Sequence, residues 1–227
     1  MIMGKGMIAN AFKDYQDDTN ILVFAAGVSN SGETDKKSFE RELLLLKQSL
    51  KYNMCLIYFS SCDIIDNVYL RNNAYYQHKK YIENYIKKNV DCYWIFRLPQ
   101  VYGPSGNKNT LINYFVEKIE NEEEFELFTN HYKSIISSTH VFKICDYIVK
   151  NGIKKNNVVN VFNTYQVSAL TIVTVIEEIL KKKAIFKIHS EKRLLPYDDK
   201  IVRDIVKQLD ITFDENYLYN LLNNNLS

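Results

Sequence analysis

Three prolines, seven glycines and a single tryptophan stand in 227 residues. The chain therefore has few forced turns and no Pro/Gly-rich tract of the kind that marks a disordered or linker segment. No apolar run approaches the ~20 residues that a membrane-spanning helix needs, and no charged-then-apolar leader ends in small residues. These gaps argue against a membrane partner and lead us to expect a reducing, cytoplasmic setting. A one-sided charge is missing as well: 29 Lys and Arg stand against 27 Asp and Glu, a net +2. No basic stripe is present to favour nucleic acid as a partner. The acidic run Glu122-Glu123-Glu124 reads as a solvated loop or helix end. Four cysteines (Cys55, Cys62, Cys92, Cys145) show no CxxC spacing. Three of them lie in or beside apolar runs, so buried reduced thiols are expected in place of disulfides or zinc ligands. No metal is expected.

What the chain does have is alternation. Apolar runs at 1–3, 21–27, 54–61 and 92–99 read as strands, separated by helical patterns reaching about Tyr15 and over 36–50 and 71–89. Strands spaced by single amphipathic helices imply βαβ crossovers and a parallel sheet covered on both faces. After Pro99 the rhythm loosens. A Gly/Pro/Asn loop (101–109) precedes a helix at 110–119, with short strands at 125–128, 132–136, 158–162 and 184–188. Further helices are predicted over 140–151, 168–182 and 199–208, with a last one near 215–223. With no repeat and no long polar linker, a single α/β domain over 1–227 is expected. Its sheet half would run to about residue 100, and 101–227 would form mainly a small α/β lobe over one sheet edge.

The stretch GKGMIA (Gly4, Gly6, Ala9) follows the first apolar run and opens a helix. A strand that turns sharply on glycines exposes the amides of the helix N-terminus, which attract a pyrophosphate. Gly-x-Gly pairs also serve as plain turns, but the position at the head of a β/α alternation favours a dinucleotide site. Such folds usually place an acidic residue for the adenosine ribose at the end of the next strand. Here KDYQDD runs almost at once into ILVFAAG, so Asp17 or Asp18 substitutes, or the adenosine end is poorly held.

NAYYQHKKYIENY (73–85) holds two overlapping Tyr-x-x-x-Lys pairs, Tyr75/Lys79 and Tyr76/Lys80. Positions 75, 79, 82 and 86 form one helical stripe that should meet the core, whereas Tyr76, Lys80, Glu83 and Lys87 align as a solvent-facing set. Burying Lys79 is costly without a purpose, so Tyr75 and Lys79 are the candidate pair. The strand LIYFSSC ends in Ser60 and Ser61, and ligands of parallel sheets sit beyond the carboxyl ends of strands. One serine could equally be a turn or cap. A serine hydroxyl would position a carbonyl or alcohol oxygen. The tyrosine would move the proton, its pKa drawn below ~10 by the ammonium and an oxidised nicotinamide.

GxGxxA, a strand ending in SS, YxxxKxxxE and RLPQVYGP occur in that order. Together they resemble the extended short-chain dehydrogenase/reductase family, in particular its nucleotide-sugar epimerases, dehydratases and 4-ketoreductases. The resemblance covers most of the chain, including FNTYQVSALTIVTVIEEIL (162–180), and implies a Rossmann-like fold, narrower than usual because the stretch after the first helix is short. It implies NAD or NADP near Gly4, Gly6, Met7, Ile8 and Ala9, along Ala26 and Gly27 of VFAAGVSNS, and at Ser60, Lys79, Pro99 and Val101. The triad falls on Ser61, Tyr75 and Lys79, with Glu83 matching the glutamate after the lysine. A nucleotide-sugar substrate would meet Ser29, Ser61, Cys62, Asp63, Tyr75 and Gln100. His140 stands where many relatives carry aspartate and is read as structural. Helices 36–50 and 71–89 resemble the pair that forms a four-helix homodimer interface. The family's 4,6-dehydratases carry Asp-Glu after the strand-end hydroxyl, whereas Ser61 is followed by Cys62 and Asp63. Reduction of a nucleotide-linked 4-keto sugar by NAD(P)H, as in polysaccharide biosynthesis, is therefore expected. Epimerisation or a non-catalytic sugar-nucleotide-binding role are the alternatives.

Overall fold

Runs rich in Ile, Leu, Val and aromatics become strands because both of their faces can be covered. The computed structural model, which describes residues 1–50, 54–104, 110–194 and 198–226, gathers five of them into one sheet. These are β1 (Ile2–Met3), β2 (Ile21–Phe24), β3 (Cys55–Ser61), β4 (Tyr93–Leu98) and, from far along the chain, β9 (Asn157–Asn160). Their order is β1-β2-β3-β4-β9, and every pairing is parallel. The crossovers run through α1 (Met7–Ala11), α2 (Lys36–Ser49), α3 (Asn67–Asn72) and α4 (Ala74–Asn89).

Side chains alternate across the sheet. Leu22, Phe24, Leu56 and Tyr58 pack with Leu46 of α2 and Ile82 and Ile86 of α4. On the other face Val23, Ile57, Phe96 and Val159 meet Phe12 and the apolar sides of α6 (Ser138–Lys150) and α8 (Lys200–Gln208). A second core joins α5 (Leu111–Glu120), α7 (Ala169–Leu180), α9 (Tyr217–Leu226) and β6 (Phe125–Phe128). Three two-stranded ribbons complete the fold: β5 (Gln100–Tyr102) with β8 (Ile135–Ser137), β7 (Tyr132–Lys133) with β10 (Val167–Ser168), and β6 with β11 (Phe186–His189). Helices start where a short polar side chain takes a free amide. Asp35, Asn73, Thr110, Ser137, Ser168 and Asp199 each do so.

Several expectations change. The helix at 71–89 is two helices, broken at Asn73, whose extended backbone and side-chain oxygen cap α4. The loop at 101–109 begins as β5, and residues 105–109 lie outside the described residues. The back half is not confined to one sheet edge, because β9, α6 and α8 return to the main sheet. Cys55 and Cys92, expected as reduced thiols, form a disulfide, with Cα atoms 4.7 Å apart. The β3–β4 register pairs Leu56 with Tyr93 and so sets the two preceding cysteines side by side, an adjacency that a sequence separation of 37 conceals. Cys62 and Cys145 are buried free thiols, and burial pushes both thiols up. His140 keeps a structural place: its Nδ1 lies 2.8 Å from the Tyr217 hydroxyl and its ring meets Phe213, tying α6 to α9. No described helix is long and apolar enough to cross a membrane.

Candidate active site

A cleft of about 190 Å³ opens at the carboxyl ends of the parallel strands and continues into a wider chamber of about 540 Å³. Of the residues singled out in the sequence, Met7, Ile8, Gly27 and Ser29 line its first wall, and Ser60, Ser61 and Asp63 its floor. Tyr75 and Lys79 of α4 close one side, with Pro99, Gln100 and Val101 opposite. Ser31, Asp63, Tyr76, Gln100 and Thr110 face both spaces.

Five expected residues lie elsewhere, the first of them Ala9, which is buried in α1. Gly4 turns the chain at φ +131°, and a Cβ there would lie 2.4 Å from the Ala25 carbonyl, so this glycine serves close strand packing. Gly6 precedes α1, and a Cβ on it would meet nothing within 4 Å. Alternation along the chain after β2 sends Ala25 to the cleft and Ala26 into the core beside α2 and α4. Cys62 is wholly buried, its thiol donating to the Arg97 carbonyl at 3.1 Å, and cannot touch a substrate.

The two serines divide their work. Ser61 Oγ accepts the Asp63 amide at 3.2 Å and caps the 3-10 turn Cys62–Ile65. Ser60 is 6% exposed, and its Oγ is buried with no hydrogen-bond partner among the described residues. Buried hydroxyls are almost always paired, so this one is available to a ligand.

Lys79 is 3% exposed, and its Nζ lies 3.1 Å from Glu42 Oε1 and 3.2 Å from the Tyr58 hydroxyl. Glu42 has no exposed surface. It accepts the Val28 amide at 2.7 Å and the Tyr58 hydroxyl at 2.7 Å, with His78 Nε2 at 3.1 Å. Burial disfavours its charge, yet Lys79 and these hydrogen bonds hold the carboxyl well below the usual range. A side chain on Gly27 would come within 2.8 Å of both Glu42 and Lys79.

The Tyr75 phenol is pushed up, first by burial and then by the carboxylates of Glu42 and Asp63. The chain by itself therefore does not supply the expected downward shift: the Lys79 ammonium is already paired, and its Nζ stands 5.7 Å from the Tyr75 ring centre. Tyr76 is buried too, donating to Asp63 Oδ2 at 3.1 Å. Glu83 is wholly buried in a bidentate pair with Arg97 at 2.7 and 2.6 Å. The solvent-facing set was therefore misjudged at both positions. Glu42 was missed, although 42, 46 and 49 form the buried stripe of α2, and a carboxylate on one apolar stripe facing an ammonium on another is a readable signal.

A nicotinamide cofactor fits this cleft at one end only. Ser60 Oγ and the apolar walls of Met7, Ile8 and Val101 suit a nicotinamide ring and its ribose. Neither candidate acid for the adenosine ribose is near. Asp18 Oδ1 accepts the amides of Asn20 and Ile21, and its carbonyl takes the Met1 ammonium. That is the amino end of β2, opposite the cleft, and Asp17 is its exposed neighbour.

The chain matches no family model and no curated protein. Among solved structures it resembles dTDP-glucose 4,6-dehydratase from Bacillus anthracis in complex with NAD, at 13% identity and TM-score 0.66, covering 97% of this chain and 78% of that one. It also resembles UDP-N-acetylglucosamine 4-epimerase from Methanobrevibacter ruminantium in complex with UDP-N-acetylmuramic acid, at 17% identity and TM-score 0.63, covering 98% and 80%. A third likeness is ADP-L-glycero-D-manno-heptose-6-epimerase from Helicobacter pylori, at 16% identity and TM-score 0.67, covering 97% and 77%. At these identities the likeness establishes the fold. It is Rossmann-like α/β with a parallel sheet, as the sequence led us to expect.

Proposed function

We propose that the protein reduces a nucleotide-linked 4-keto sugar at the expense of NADH or NADPH, with Tyr75 giving its proton to the carbonyl oxygen. The convergence of Tyr75, Lys79 and two serine hydroxyls on one cleft at the strand ends carries this reading. The cofactor, when bound, supplies a hydride. Ser60, Met7, Ile8, Pro99 and Val101 would hold its nicotinamide end. Ser61 and Tyr75 would orient the carbonyl, with Ser29, Asp63 and Gln100 turned toward the sugar.

Two features favour reduction over the reactions of the structural neighbours. An epimerase must also remove a proton from an alcohol, which calls for a phenolate. Burial and two nearby carboxylates instead disfavour the phenolate, so Tyr75 enters the reaction as the phenol, the form from which a carbonyl reduction starts. A dehydratase of the resembled type needs two acidic groups after the strand-end hydroxyl, and here Asp63 stands beside a buried thiol. A homodimer across α2 and α4 belongs to the same reading.

Replacing Tyr75 with Phe should cut turnover by at least ~10²-fold while nicotinamide binding persists, assayed against UDP-, GDP-, CDP- and dTDP-linked keto sugars. Full activity in that variant refutes the assignment. The pairing of Lys79 with Glu42 favours a second reading, a sugar-nucleotide-binding protein without turnover. Failure of both NADH and NADPH to bind at millimolar concentration would establish it over the first.

A further inference from the structure

Dinucleotides bound to doubly wound sheets straddle the point where strand order reverses, nicotinamide on one side and adenosine on the other. In the order β1-β2-β3-β4-β9 the strand numbers only rise, so there is no reversal. β1 is an edge, and among the described residues no strand pairs on its outer side. The cause is internal to the chain. The 3-10 turn after α1 ends at Tyr15 and β2 begins at Ile21, which leaves no length for a further strand and helix between them. Asp17 and Asp18, the acids in that link, sit at the far end of the sheet. α1 has five residues and no side-chain cap, too short to offer a strong dipole to a pyrophosphate. The cleft between Tyr75 and Val101 keeps its lining, including the unpartnered Ser60 hydroxyl, 94% of whose residue surface is buried.

We infer that this chain recognises the nicotinamide nucleotide alone and is indifferent to the adenosine half of its cofactor. The inference rests on the nicotinamide reading above and specifies which part of that molecule is bound. NADH, NADPH and reduced nicotinamide mononucleotide are then equivalent ligands, because the groups that distinguish them have no seat on the protein.

Calorimetric titration of the whole chain with each of the three tests this without turnover. Dissociation constants within about tenfold of one another are expected, and Ser60→Ala should weaken all three by the same factor. A dinucleotide that binds more than tenfold tighter than the mononucleotide has gained about one hydrogen bond's worth of adenosine recognition. That result overturns the inference and leaves the cofactor reading standing. Absence of binding by all three at millimolar concentration sinks the inference and the cofactor reading together.

Discussion

Glu42 shows what a single side chain contributes. A carboxylate removed from water survives only when both oxygens are paired, and breaking a buried ion pair costs ~3–5 kcal/mol because the other charge is left uncompensated. Glu42→Gln strands the Lys79 ammonium and should destabilise the fold by about 3 kcal/mol in urea or guanidinium denaturation. The sign of its pH dependence follows from linkage. The folded carboxyl titrates below the unfolded ~4.3, so its contribution is complete above that pH and is lost as pH falls toward the folded value. On acidification below ~4.3 the native chain should lose stability more steeply than Glu42→Gln. Equal slopes would show that the carboxylate is not held as the geometry implies. The serines separate by a simpler comparison. Ser61→Ala loses a cap worth ~1 kcal/mol and, as the proposed carbonyl-orienting residue, turnover as well. Ser60→Ala deletes an unpaired buried hydroxyl and should leave stability unchanged or slightly raised. A large stability loss in Ser60→Ala would mean that the hydroxyl already has a partner.

At the scale of elements, Gly4 is the point where β1 can be tested. Alanine there forces a Cβ against the Ala25 carbonyl at a backbone angle that L residues avoid, a strain of order 1–3 kcal/mol. Relief comes most easily by letting β1 leave β2. The Val23 and Ala25 amides, which donate to Met1 and Met3, should lose hydrogen-exchange protection in Gly4→Ala while β3 and β4 keep theirs. Uniform loss across the sheet would instead mark β1 as integral to the core. Much of this layer was legible. Apolar runs and helical stripes located β1 to β4, α2 and α4, and the stripe through 75, 79, 82 and 86 brought Tyr75 and Lys79 to the cleft. What could not be read was where α4 is covered from a second direction. Tyr76 meets Val28 and Ile64, and Glu83 meets Arg97, so the buried arc is wider than one stripe. The return of β9 to the sheet and the meeting of Cys55 with Cys92 are choices of long-range partner, which local periodicity does not encode.

For the whole molecule the open question is assembly. α2 and α4 cover the same sheet face, and the Lys47 ammonium lies 5.4 Å from the Tyr85 ring centre, joining the two helices. Their outer surfaces carry Leu44 at 56% and Tyr81 at 52% exposure. One exposed leucine means little, but apolar side chains on adjoining helices suit the proposed twofold contact, in which each patch faces its own copy. A charge placed there is met by the same charge across the axis. Leu44→Glu should therefore convert the dimer to the 26.7 kDa monomer in light scattering, and a native chain that is already monomeric rules the assembly out. Leu44 is not among the described residues that line the cleft, so the monomer should bind reduced nicotinamide mononucleotide as the proposed dimer does. If affinity falls with dissociation, the route is through α2, which bears Leu44 on its outer side and Glu42, the carboxylate that fixes Lys79, on its inner side.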